Sequence, residues 1–415
     1  MQPPTRFQWL SLGQLLLSGL GFLLFALGGV VLLLMGAAGL TGSGLVDAAQ
    51  ALPYFSLMWV CGLVCLLVTP SIVLSSMRLL GSSTGKSLPA WQWRGSFRAA
   101  SWAMLAWPLA LAAGTWISRT GRLGWLFLPP LQILAVALPL WWLIEFGRRG
   151  LDLSGSGPQR AWGVLSAGLL VSPTVALVVE LLAIALLLVV FVGWLSSQPG
   201  ALEQVTLLAQ RLSNAGSDPE VLLRILRPLV ETPAVLISII LATSGLFPLI
   251  EELVKPLGLW ALAGRKLTPA QGFIFGLICG AAFALLESLG TIANPSGQDW
   301  LVVVLGRTGT GMLHTVCSGL MGWALASAWQ DGRYLRLAGT YLLAAGLHGL
   351  WNLFGIVLAL PAVFGTASVT GIAALLLRLG QVAPFVLVVL MMLLFSILLV
   401  SNRRLRLESG KIDPS

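Results

Sequence analysis

The chain has 415 residues, of which 57% are hydrophobic and only 9% charged. Soluble globular proteins carry about 25% charged residues, so this composition excludes that class and indicates an integral membrane protein. The formal net charge of +9 does not indicate nucleic-acid binding, because the basic residues sit mostly in short loops between apolar runs. There they set topology and attract anionic lipid headgroups.

In chain order, apolar runs long enough to cross a bilayer predict helices over 9–36, 54–77, 99–118, 123–146, 162–195, 234–263, 270–293, 300–328, 336–360 and 383–401. The first run is too long for a secretory signal and reads as a retained span. Strand-length alternation is absent, which argues against an outer-membrane barrel. The expected fold class is all-α, a polytopic transmembrane bundle of about ten spans. All four cysteines, Cys61, Cys65, Cys279 and Cys317, fall inside apolar runs and read as packing residues, not as a disulfide framework.

The chain divides into an N-terminal five-helix membrane block (1–195), an extracytoplasmic helical connector (196–233), a four-helix membrane core (234–360) and a C-terminal span with a basic tail (361–415). In the connector, Asp218, Pro219 and Glu220 read as a helix start, with Val221, Leu222, Ile225 and Leu229 on one apolar face. This element reads as a surface connector or a lid. The segment 366–380, with Arg378, reads as an interfacial or re-entrant piece before the last span. Loops 78–98, 147–161, 264–269 and 329–335 and the tail are basic, whereas loops 37–53, 294–299 and 361–365 contain no Lys or Arg. The positive-inside rule therefore places both termini in the cytoplasm of a multi-pass cell-membrane protein, although Arg119 and Arg122 in loop 119–122 break the alternation.

Four consecutive spans of the core carry ionisable residues. The run FPLIEELVKPLGLW holds Glu251, Glu252 and Lys255; FALLE holds Phe283 and Glu287; TGTGMLHTVCSGLMG holds His314; LHGLWN holds His348 and Asn352. An ionisable residue at the centre of a membrane helix costs about 2.5 kcal/mol or more on insertion scales, so each needs a partner or a wet cavity. Glu251 with Lys255, Phe283 with Glu287, and His348 with Asn352 are each four residues apart, which puts each pair on one helix face. Glycines around His314 let neighbouring helices approach closely. Pro248 and Pro256 bracket the glutamate pair and predict irregular backbone there. Arg307, near a helix end, reads as a snorkelling residue. Both histidines of the chain lie mid-span. With three glutamates they provide metal-ligand types and a general base, the minimum for activating water.

These motifs, EELVK, FALLE, a membrane histidine and HGLWN in order on consecutive spans, resemble the PrsW-type intramembrane proteases, distant relatives of the CAAX-prenyl protease and bacteriocin-processing superfamily. The resemblance covers residues 235 to 360. It implies proteolysis within or beside the bilayer, with a membrane protein such as an anti-sigma factor as substrate and the lipid bilayer as the other partner. Carried over residue by residue, it points to Glu251 and Glu252, Glu287, His314, His348 and Asn352. In the wider superfamily the first motif ends in Arg one position later, and His usually stands where Glu287 does.

Two schemes follow. In the first, His314, His348 and Glu287 hold zinc or another divalent metal, Glu251 or Glu252 is the general base, and Lys255 pairs with the glutamates. In the second, which needs no metal, a glutamate and a histidine activate water, and His348 and Asn352 donate hydrogen bonds to the oxyanion. A proton- or ion-coupled transporter is the alternative function, since transporters also place such residues at mid-membrane.

Overall fold

A computed structural model describes residues 6–41, 51–84, 96–120, 123–151, 157–197, 201–215, 219–230, 232–293, 300–364, 371–408 and 410. They form α1 (Arg6–Thr41), α2 (Ala51–Thr84), α3 (Phe97–Met104), α4 (Trp107–Thr120), α5 (Gly124–Gly147), α6 (Gly157–Ser196), α7 (Ala201–Asn214) and α8 (Pro219–Val230). After these come α9 (Pro233–Leu241), a π-helical turn (Ala242–Leu246), α10 (Phe247–Val254), α11 (Leu257–Trp260), α12 (Pro269–Ile292), α13 (Trp300–Asp331), α14 (Tyr334–Phe364) and α15 (Gly371–Glu408). The fold class is the expected one, an all-α polytopic helical bundle.

Among the described residues, nine helical stretches are long and apolar enough to cross a membrane. Of the expected spans, α13 falls outside that set. It has the length, 32 residues, but carries Arg307, His314 and many Gly, Thr and Ser residues. Most of its middle is buried, and a helix enclosed by protein has no need of an apolar exterior. By contrast α1 and the second half of α6 present rows of exposed leucines and valines, as lipid-facing helices do. Parts of the loops used to assign orientation, namely 42–50, 85–95, 121–122, 152–156, 294–299 and 365, lie outside the described residues, as does Asp218. The helix expected after Asp218 is α8, where Val221, Leu222 and Ile225 are half-buried and Arg224 is exposed. Residues 371–380 are not a separate interfacial piece. They begin α15, which runs unbroken through Gly380 and Pro384 and the last span to Glu408.

The chain forms two compact units, one comprising Met1–Thr174, Glu252–Ala344 and Leu393–Ser415, the other Val175–Glu251 and Ala345–Met392. In the first unit, Val68, Leu128, Ala135, Leu169, Ala284 and Val304 pack in one core cluster. A second cluster joins Val164, Leu259, Ile274, Ile278 and Leu325. Helix α12 starts with a capping box: the Thr268 hydroxyl accepts from the Gln271 amide at 3.2 Å, and the Gln271 side chain accepts from the Thr268 amide at 3.1 Å. Pro269 stands at its first position, where its missing N–H is not needed. The far end of α12 is held by Gln132, whose amide donates to the Ile292 carbonyl at 3.0 Å.

Helix α12 meets α13 through Gly272, Gly276 and Gly280, spaced four apart on one face. A Cβ on each would collide with the backbone of Gly322, Ser318 and His314 respectively. This small-residue stripe lets the two backbones touch and sets the depth of His314 relative to α12. In the second unit, Leu236, Val357, Leu360, Phe364, Ala373, Leu376 and Ala383 form the core.

Candidate active site

In the first unit, Glu252 of α10, Lys255 in the turn after it, and polar residues of α12 and α13 form one continuous chain. The carboxylate Oε1 of Glu252 accepts from Lys255 Nζ at 2.6 Å, and the same Nζ lies 2.6 Å from Nδ1 of His314. The other ring nitrogen, Nε2, lies 2.9 Å from Glu287 Oε2, which also receives Arg307 Nη2 at 2.9 Å. Arg307 Nε donates to Ser288 Oγ at 3.2 Å. Glu252, Lys255 and His314 are fully buried, at 0% exposure. Alternating charge along the chain is what makes their burial tolerable, since a single uncompensated ion would cost several kcal/mol. Phe283 packs edge-on to His314 and its ring lies 5.0 Å from Lys255 Nζ, adding a cation–π contact.

The geometry also assigns the imidazole tautomer. An ammonium only donates, so Nδ1 of His314 accepts from Lys255, and Nε2 carries the proton that goes to Glu287. Arg307, expected to snorkel, turns instead to Glu287 and Ser288. Nothing in its spacing signals this, because the partners are on a different helix.

The helix break that follows Lys255 is set by Pro256, the N-cap of α11, which has no N–H to give. In a regular helix the Lys255 carbonyl would accept from the Leu259 amide, but that amide goes to Pro256. Instead, Ser172 Oγ and Cys279 Sγ each donate to the Lys255 carbonyl at 2.9 Å. Cys279, read from sequence as packing alone, is thus also a backbone anchor for Lys255. Cys317 is fully buried.

The second unit holds Glu251, His348 and Asn352. Glu251 Oε2 stands 4.0 Å from His348 Nε2. Asn352 Nδ2 donates to the Thr243 carbonyl at 2.9 Å, and the reason lies in the π-helical turn. There the Phe247 amide reaches back to Ala242, so in the same register Thr243 would pair with residue 248. That residue is Pro248, which has no N–H, and Asn352 supplies the missing donor. Gly349, where a Cβ would strike the Ser244 carbonyl, allows the close approach. Single π-helical turns are frequent at functional sites. Asn352→Ala should orphan the Thr243 carbonyl and destabilise the protein by about 1–3 kcal/mol. Unfolding in detergent measures this, and an unchanged midpoint would refute the assignment.

The donors at hand are imidazoles and carboxylates, the ligand types that suit zinc and similar divalent ions. Within the first unit the Lys255 ammonium lies where a cation would approach Nδ1 of His314, and Glu287 is engaged by both His314 and Arg307. A carboxylate on the far nitrogen of a ligating histidine is the usual arrangement for orienting it. By chemistry the donor set fits a metal, and Nδ1 of His314, which meets Lys255, is the ring nitrogen not committed to a carboxylate.

Comparison with known protein families matches residues 159–397, more than half of the chain, to the family described as PrsW family intramembrane metalloprotease. The chain belongs to the PrsW family. No curated protein and no solved structure matches it. As a PrsW family member it is an enzyme, an intramembrane protease of membrane-protein substrates, and an integral multi-pass membrane protein. The description as a metalloprotease indicates a divalent metal, and the transporter alternative is not favoured. The matched segment begins in α6 and ends in α15, and so contains every residue of the two polar groups.

Proposed function

We propose that this PrsW family member cleaves peptide bonds of single-span or other membrane-protein substrates with a water activated by its glutamates and histidines. The observation that carries the proposal is the unbroken chain from the fully buried Glu252, Lys255 and His314 to the partly exposed Glu287 and Arg307. When bound, a divalent metal polarises water and the scissile carbonyl. The side chains of ligand type are His314 in the first unit and His348 with Glu251 beside it in the second. The Glu287 carboxylate is committed to His314 and Arg307 and serves as a positioning residue.

Glu252 is the general base, kept ionised in apolar surroundings by Lys255 at 2.6 Å. Lys255 then carries a proton toward the leaving amine. Glu287 and Arg307 position the His314 ring. In the second unit, Asn352 holds the π-helical turn ahead of the glutamates. The contact of Lys255 with Nδ1 of His314 favours a second reading, in which these side chains activate water without a metal. Loop charges support both termini being cytoplasmic in the cell membrane, and a membrane-bound regulator such as an anti-sigma factor is a fitting substrate.

The test uses purified protein in phospholipid vesicles with a panel of single-span reporter fusions, each product located by mass spectrometry. Cleavage inside or beside the reporter span, lost in His348→Ala that still folds, is the expected result. Equal cleavage by His348→Ala would remove His348 from the site.

A further inference from the structure

Outside the acid–histidine chain, the first unit contains a cavity of about 260 Å³ between α1, the start of α6 and the segment from Gly258 to Arg265. Its walls are apolar, built by Leu10 and Leu17 of α1, Val164 and Ala167 of α6, and Leu262. Its lining also includes Arg160 and Arg265 and, among the described residues, no acidic one. Arg78 lies close enough that the three guanidinium groups repel one another. These arginines come from three separate basic segments of the sequence, all assigned by the loop charges to one membrane face.

The polar back of the cavity is organised by side chains that leave the arginines in place. The Gln159 amide donates to Ser11 Oγ at 2.9 Å and to Gln14 Oε1 at 3.3 Å, and its Oε1 accepts from Arg78 Nη1 at 2.9 Å. Gln14 Nε2 in turn donates to Ser71 Oγ at 2.9 Å. Both glutamines are thus spent on tying α1, α2 and α6 together. The arginines thus place positive charge at the mouth of an apolar slot, on helices that cross the bilayer.

We propose that this cavity binds an anionic phospholipid. The phosphate lies against Arg160 and Arg265 with Arg78 behind them, and an acyl chain lies along Leu10, Leu17, Val164 and Leu262. Charge complementarity selects the occupant: a free anion has no use for the apolar walls, and a zwitterionic lipid does not relieve the repulsion. Basic pockets between membrane helices hold anionic headgroups for the same reason. The volume is slightly below the roughly 300–1,000 Å³ of drug-sized pockets, which suits a headgroup and the first part of a chain whose remainder follows the lipid-facing surface of α1.

Native mass spectrometry of the detergent-solubilised full chain tests this, with palmitoyl-oleoyl phosphatidylglycerol and the phosphatidylcholine of the same chains as probes. Wild type should retain a first phosphatidylglycerol about tenfold better than phosphatidylcholine, and Arg160→Gln/Arg265→Gln should abolish the preference. Arg160→Lys, which keeps the charge, should preserve most of it. Ala261→Phe, which crowds the wall without touching charge, should weaken phosphatidylglycerol retention at least fivefold. If the double variant does not fold, the Lys and Phe variants decide, and unchanged binding in Ala261→Phe overturns the proposal. Equal loss in Arg403→Gln/Arg404→Gln would reduce the effect to general surface attraction. Complete displacement by millimolar inorganic phosphate would make the site one for free anions. Either result overturns the proposal.

Discussion

Glu252→Gln is expected to lower reporter cleavage by roughly 10²–10⁴-fold, the usual contribution of a positioned general base. The substitution keeps the shape of the side chain but removes its charge, leaving the Lys255 ammonium buried against a neutral amide and the His314 ring. Stability should therefore fall as well. Breaking a buried ion pair by removing one partner costs about 3–5 kcal/mol, and the amide oxygen, still able to accept from Nζ, holds the loss to the lower part of that range. Lys255→Met alone should destabilise by a similar amount, because Glu252 is then the uncompensated ion. The double variant Glu252→Gln/Lys255→Met should recover most of the stability while remaining inactive, since neutralising both partners of a buried pair is often close to neutral in energy. Unfolding in detergent and reporter cleavage, run on all three variants, separate the two effects. Full cleavage by Glu252→Gln would remove it as the base. Additive rather than compensating stability losses would show that the 2.6 Å contact carries no coupling.

Metal removal is the second large effect. Treatment with 1,10-phenanthroline should abolish cleavage, and zinc added back should restore it. His314→Ala should stay inactive at any zinc concentration, because the proposed ligand is missing. Glu287→Gln should behave differently: loss of a carboxylate that orients a ligating histidine lowers metal affinity or activity by about 10–100-fold, so excess zinc should restore part of its cleavage. If Glu287→Gln is as unrescuable as His314→Ala, the carboxylate is a ligand and not a positioning residue. Full activity in protein shown by elemental analysis to contain no transition metal would instead decide for water activation by the side chains alone.

Several features of this site are legible in the sequence because they are local. The paired glutamates with a lysine, the FALLE carboxylate and the two histidines stand out against apolar spans, since lipid tolerates such groups only for a reason. The two prolines announce irregular backbone, and the structure places a π-helical turn before one and a helix break at the other. The stripe Gly272, Gly276, Gly280 is as readable a small-residue packing face as the glycines around His314. Arg307 was not readable, since its partners Glu287 and Ser288 are reached across helices and no spacing rule links them.

The sequence by itself determined the class of the protein, its membrane helices, the identity of its polar residues and, through their order, the family resemblance. Only the tertiary structure decided which atom meets which. Glu251 and Glu252 are neighbours in sequence, yet successive residues of a helix point about 100° apart. One therefore faces His348 while the other is locked to Lys255 and, through it, to His314. Helical periodicity gives a side chain its direction, but the neighbour waiting in that direction is set by long-range packing. Here that packing depends on backbone contacts such as those of Gly276 with Ser318 and Gly280 with His314.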